Sequence, residues 1–253
     1  VLPVLNASDD SARIANGFAR DYPKYDQRGF MIDVARKFYT LEFLQDYIKL
    51  MSWYKLNTFS IHLNDNGFAS YFGGDWSKTY DAFRLESDVY PGLTATDGSY
   101  TKEEFRDLQY LALDYGVEII PEIDTPAHSL SFTKFDNKLY NPAYDWDHID
   151  VTNPYAYEFM EKLFVEYMEG DDPVFLNKVH IGTDEFDRSS ELTRESFRQY
   201  TSNLLELVKS YGKQPYMWGS LTWAYGNTPV DSTGVTAFAW YNGYGDPKEM
   251  VAD

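Results

Sequence analysis

Lys178-Val179-His180-Ile181-Gly182-Thr183-Asp184-Glu185-Phe186 reads as a short buried strand that runs out into two adjacent carboxylates. A near-continuous apolar run of this length suits a parallel strand covered on both faces. Working outward, the same pattern recurs at 28–34 (Arg-Gly-Phe-Met-Ile-Asp-Val), 58–63, 117–123, 214–218 and 235–240. Helical stretches lie between these runs. Thr40 caps one of them, with Leu41, Leu44, Tyr47, Ile48 and Met51 as its apolar stripe. Thr101-Lys102-Glu103-Glu104 is a capping box that opens another, stopped at Gly116. Asn153-Pro154 supplies cap and first-turn proline for a third, closed by Gly170, and a fourth spans about 193–211 before Gly212.

Strands that alternate with helices imply βαβ units and a parallel sheet. The polar residues fall late in each strand or just after it: Asp33, His62/Asn64/Asp65, Glu122/Asp124/His128, Asp184/Glu185 and Trp218. That placement is the habit of a (β/α)8 TIM-type barrel, whose sites sit at the C-terminal ends of its strands. An open doubly wound sheet is the alternative, but no glycine-rich phosphate fingerprint follows the first strand. Six strands are readable rather than eight, so the barrel is expected to lack its last strand–helix units before Asp253, with 249–253 opening a helix. Residues 1–27 read as an irregular or helical lead-in, and 1–253 as a single domain. Two connections, 67–99 and about 129–152, are long and rich in aromatics, which argues for ordered walls rather than disorder.

Composition narrows the function classes. A formal net charge of −18 disfavours nucleic acid and anionic membrane surfaces and suits a neutral or cationic ligand. No apolar run is long enough to span a bilayer. With no cysteine there is no disulfide, thiolate metal site or thiol nucleophile. The chain is 18% aromatic; core packing and surface Tyr account for most of this, and exposed Tyr and Trp also make flat walls on which sugar rings pack. Neither HExxH nor EF-hand spacing occurs, so no metal or other cofactor is expected.

The adjacent acids admit two readings. A solvated surface pair is the plain one. Their position behind a buried strand keeps a second reading open, in which partial burial turns a carboxyl group into a proton donor near neutral pH.

Four motifs occur in order: Arg28-Gly29-Phe30-Met31-Ile32-Asp33-Val34-Ala35-Arg36-Lys37-Phe38, Lys55-Leu56-Asn57 with His62-Leu63-Asn64-Asp65, Pro121-Glu122-Ile123-Asp124-Thr125-Pro126-Ala127-His128, and His180-Ile181-Gly182-Thr183-Asp184-Glu185. Together they closely resemble the catalytic domain of glycoside hydrolase family 20, the β-N-acetylhexosaminidases and lacto-N-biosidases. The resemblance implies that the substrate's own 2-acetamido oxygen attacks the anomeric carbon, with retention of configuration. Glu185 would then protonate the leaving oxygen and later activate water, while Asp184 would hold the acetamido N–H. Arg28 would grip hydroxyls of the terminal sugar, Trp218 and Trp240 would wall the acetamido pocket, and Asp65 with His128 would support Glu185. His62 and His180 are expected inside the barrel without a direct role. The partner implied is a glycan ending in β-linked N-acetylhexosamine, and a secreted or bacterial cell-surface setting is expected. Release of a disaccharide, as by a lacto-N-biosidase, and a non-catalytic sugar-binding barrel are the alternatives. An aldolase-like barrel would need a Schiff-base lysine at a strand end, and none is seen. The segments in which the family carries a further Tyr, Asp and Trp–Glu pair find no match before Asp253.

Overall fold

The computed structural model describes residues 17–18, 20–219, 221–241 and 245–252, the last two without their side chains. Residues 1–16 of the expected lead-in lie outside these, and its described part is irregular and exposed. Six strands form one parallel sheet: β1 (Gly29–Asp33), β2 (Thr58–His62), β5 (Glu118–Thr125), β6 (Lys178–Gly182), β7 (Gln214–Trp218) and β8 (Thr236–Phe238). Their spatial order is β1-β2-β5-β6-β7-β8, the order in which they occur in the chain. A doubly wound sheet reverses direction at a switch point. This one never does, so the singly wound, barrel-type reading holds, with six strands in place.

Helices join the strands. α1 (Leu41–Trp53) starts at Thr40, whose side chain accepts from the N–H of Phe43, and it buries Leu44, Ile48 and Met51. α2 (Lys102–Asp114) carries the expected capping box, closed reciprocally by Thr101 and Glu104. α4 (Pro154–Met168) is capped by Asn153, and α5 (Glu191–Ser210) by Ser190. The chain ends in α6 (Pro247–Ala252). Outward-facing Phe59, Ile61, Ile119, Val179 and Ile181 pack with the helix stripes into one buried cluster. Strand alternation leaves Asp33, His62, Glu122, His180 and Trp218 on the inner face.

The two long connections are ordered. Residues 67–99 return to pair β3 (Asn64–Asn66) with β4 (Asp81–Phe83) as an antiparallel ribbon. Residues 129–152 contain α3 (Leu130–Phe135), which the sequence reading left as loop because six residues are too few to show a helical period. No helix among the described residues is long and apolar enough to cross a membrane.

Candidate active site

The C-terminal ends of the strands enclose a cavity of about 250 Å³ lined by Met31, Asp33, Arg36, His62, Asp65, Asp124, His128, Asp184, Trp218 and Trp240. That is just below the roughly 300–1,000 Å³ typical of drug-sized ligands, so it suits one ring rather than a chain. A larger cavity of about 1000 Å³ lies on the outer side of β7 and β8, against Leu205, Met217, Val235 and Met250. It holds no facing pair of acids and is separate from the groups described here.

Local backbone builds the cavity mouth. β5 carries one extra residue against β6 between Glu122 and Thr125, a bulge of the kind that re-aims side chains beside sites. Asp124, inside the bulge, is fully buried beside Gly182. A Cβ on Gly182 would overlap Oδ1 of Asp124 and come within 2.7 Å of its Cα, and φ at Gly182 is +75°. Glycine is therefore required there on both counts. His128, Thr183 and Glu185 have φ of 54°, 87° and 53°. Side chains at such angles are strained, Thr most of all, and strain of this kind gathers where geometry serves function.

Asp65 is the hub. Its Oδ1 accepts from His128 Nδ1 at 3.0 Å and its Oδ2 from His62 Nε2 at 2.7 Å. Arg36 Nη1 lies 2.6 Å from the same Oδ2. Beyond His128, Nε2 lies 3.4 Å from Asp184 Oδ2 and 3.3 Å from Glu185 Oε2, so one imidazole faces both expected catalytic acids. Burial of that pair is unequal: the Asp184 side chain is 16% exposed and that of Glu185 47%. The adjacent acids thus divide, Asp184 into the cavity and Glu185 onto its rim.

Electrostatics follow from these contacts. Burial alone would raise Asp65, but hydrogen bonds from His128 and His62 hold its carboxyl well below the usual range. Burial opposes charging His62, yet Glu122 and Asp65 outweigh it and raise that ring well above the ordinary histidine value. The same holds for His128, which faces Asp124, Asp184, Asp65 and Glu185. Burial and the neighbouring charge of Asp184 push Asp124 well up. Asp184 is also buried, but the hydrogen bond and charge of His128 bring it below the carboxylate norm. The two shifts run in opposite senses, upward on Asp124 and downward on Asp184.

The structure brings together Asp65, His128, Asp184, Glu185, Trp218 and Trp240. It does not bring Arg28. That guanidinium donates to the backbone carbonyls of Tyr25, Asp26 and Lys55 at the N-terminal end of β1, the opposite end of the barrel. Arg36, eight positions later in the same motif and past the strand end, lines the cavity instead. The rule that sites gather at C-terminal strand ends pointed to Arg36 rather than Arg28. Sequence reasoning also gave no role to Asp147 and His148. His148 Nδ1 pairs with Asp147 Oδ1 at 2.7 Å, and its Nε2 reaches the backbone carbonyl of Glu185 at 3.4 Å.

Three groups of side chains, Asp33/His62/Asp65, His62/Glu122/Asp124 and Asp124/His128/Asp184, set candidate metal-ligand atoms within 4.8 Å of one another. A metal there would compete with the hydrogen bonds that tie His62 and His128 to Asp65.

The model of the glycosyl hydrolase family 20 catalytic domain matches residues 25–252. β-Hexosaminidase subunit A2 of Dictyostelium discoideum is 29% identical over 79% of this chain and 38% of its own length. A β-hexosaminidase of Akkermansia muciniphila is 27% identical over 90% of this chain and 50% of its own. Among solved structures, β-N-acetylhexosaminidase from Bacteroides fragilis superposes with a TM-score of 0.69 at 20% identity, covering 88% of this chain and 46% of that one. An exo β-N-acetylglucosaminidase from Vibrio harveyi, in complex with N-acetylglucosamine, gives 0.67 at 26% identity, covering 87% and 39%. The chain spans half or less of the length of these curated relatives.

Proposed function

The chain belongs to glycosyl hydrolase family 20, and from that premise we propose that it acts as a retaining exo-β-N-acetylhexosaminidase on glycans ending in β-linked GlcNAc or GalNAc. The observation that carries this reading is the convergence of Asp184 and Glu185 on one imidazole, His128, at the mouth of a one-ring cavity walled by Trp218 and Trp240. With the sugar in that cavity, Asp184 as an anion accepts the acetamido N–H and turns the carbonyl oxygen towards the anomeric carbon. The C1–O bond to the aglycone breaks as the carbonyl oxygen bonds to C1, and the proton of Glu185 goes to the leaving oxygen. Water then adds to C1 from the vacated side as the C1–O bond to the acetamido oxygen breaks and the amide re-forms, and one proton of that water returns to Glu185. The positive charge of the cyclic intermediate sits against Asp184, whose negative form the surroundings favour. Glu185 on the rim is placed where an aglycone would enter solvent.

Arg36 takes the part first expected of Arg28. It is the one guanidinium among the lining residues, fixed by Asp33, Asp65 and the carbonyl of Asn66. A rigid planar donor of this kind suits a pair of ring hydroxyls. The cavity volume favours release of one sugar over release of a disaccharide. Assays of the protein on aryl GlcNAc and on aryl lacto-N-bioside test the assignment: turnover of the first is expected, and turnover of neither would remove it. Glu185→Gln separates an enzyme from a sugar-binding barrel. An enzyme loses turnover while binding remains; a pure binder shows no change.

A further inference from the structure

Beneath the cavity lies a carboxylate with no part in the mechanism above. Glu122 on β5 is wholly buried, in the middle of the inner face. Its Oε1 accepts from the indole Nε1 of Trp218 at 2.5 Å. Its Oε2 lies 3.1 Å from His62 Nδ1, off the line of a good hydrogen bond but in close ion contact. His180 Nδ1 is 3.5 Å from Oε1, yet it accepts the N–H of Gly182, and burial lowers the tendency of that ring to take a proton. His62 is therefore the ring that faces Glu122 most closely. On its far side His62 donates to Asp65, the hub that holds His128.

A buried carboxylate is costly to desolvate, and well-packed apolar residues commonly replace such groups without loss of stability. Its presence here fits a requirement for orientation. The Trp218 ring is packed at its sides, with ring centroids 4.9 Å from His180 and 5.5 Å from Phe238. Neither ring contact is a hydrogen bond, so neither specifies which edge the indole presents. The bond to Glu122 selects one.

We propose that Glu122 is a positioning residue that fixes the Trp218 indole as the wall of the N-acyl pocket and, through His62 and Asp65, ties that wall to the arm holding the catalytic acids. This rests on the hexosaminidase reading. It assigns Glu122 the specificity for the size of the 2-acylamino group, with binding of the rest of the sugar left to other residues.

Aryl β-glucosaminides bearing N-acetyl, N-propanoyl and N-butanoyl groups test it. The wild-type protein should discriminate sharply, since one methylene in a fitted pocket is worth roughly 10–200-fold. In Glu122→Leu the ratio of kcat/KM for N-acetyl over N-butanoyl should fall about tenfold, on that same scale. Trp218→Phe, which lacks the indole donor, should lower the ratio similarly, and the double variant should lower it no further. A uniform loss of kcat on every member, with the ratio unchanged, overturns the proposal. Should Glu122→Leu not fold, Glu122→Gln keeps the test open. The Trp218 indole N–H resonance, assigned by its loss in Trp218→Phe, should move upfield when the charged acceptor becomes neutral, and a resonance that stays in place overturns it. If the wild-type protein hydrolyses none of the series, the hexosaminidase reading fails by itself, and the indole resonance still reports on Glu122.

Discussion

Exchanging Arg36 for Gln and Arg28 for Gln should give opposite outcomes. Arg36 lines the cavity, so its loss should lower kcat/KM on aryl GlcNAc by roughly 10–150-fold, the worth of a charged hydrogen bond. Arg28 is bonded to backbone carbonyls at the other end of β1, so Arg28→Gln should leave kcat/KM within about twofold and act on stability alone. Steady-state kinetics on both variants check this. Charge pairing around Asp65 also has a pH signature. The depressed Asp65 contributes stability that is complete above its unfolded value near 3.8 and fades as pH falls towards its folded value. The raised His62 and His128 contribute stability that is complete below 6.5 and fades as pH rises through their folded values. Thermal unfolding midpoints should therefore peak between about pH 4 and 6.5, and Asp65→Asn should flatten that maximum. Only part of this was readable in the residues. Asp184-Glu185 stood out because two acids follow an apolar strand, whereas their unequal burial depends on a reversed φ at Glu185 that no side-chain pattern announces.

Strand ends and their supports set the next scale. Gly182 closes β6 against Asp124, so Gly182→Ala should destabilise the protein by about 2–4 kcal/mol through overpacking and the unfavourable φ, read by denaturant unfolding. A second support is Arg84, fully buried between the turn after β1 and the 67–99 connection. It donates to the carbonyls of Val34, Ala35 and Gly98 at 2.9, 2.7 and 2.7 Å and pairs with Asp97 at 2.5 Å. Arg84→Met strands these acceptors and should cost roughly 3–5 kcal/mol. Because the clamped turn carries Asp33 and Arg36, a raised KM should accompany that loss. The helices were legible from their caps: Thr40, Thr101 and Asn153 each accept a first-turn N–H as read. The ribbon of β3 with β4 was not, because its three-residue strands are polar and pair across a long connection.

Across the whole molecule, the sheet has a protected middle and two edges. β2, β5, β6 and β7 are hydrogen-bonded on both sides, while β1 and β8 have one strand neighbour each among the described residues. Native-state hydrogen exchange should accordingly be slowest in β5 and β6 and fastest in β8, whose residues are all only half-buried. Equal protection across the six strands would contradict that gradient. Apolar runs, caps and the order of four motifs by themselves determined the barrel class and the family, and singled out Asp184-Glu185 as the candidate acid pair. Those features depend on neighbours in sequence and on period, which a linear reading retains. Which arginine lines the cavity, how the pair divides between cavity and rim, and what holds Trp218 were decided only by the tertiary structure. Each turns on the direction of a side chain at one end of a barrel, or on a bond between groups as far apart in sequence as Glu122 and Trp218. Such directions come from packing against distant segments, and no local pattern encodes them.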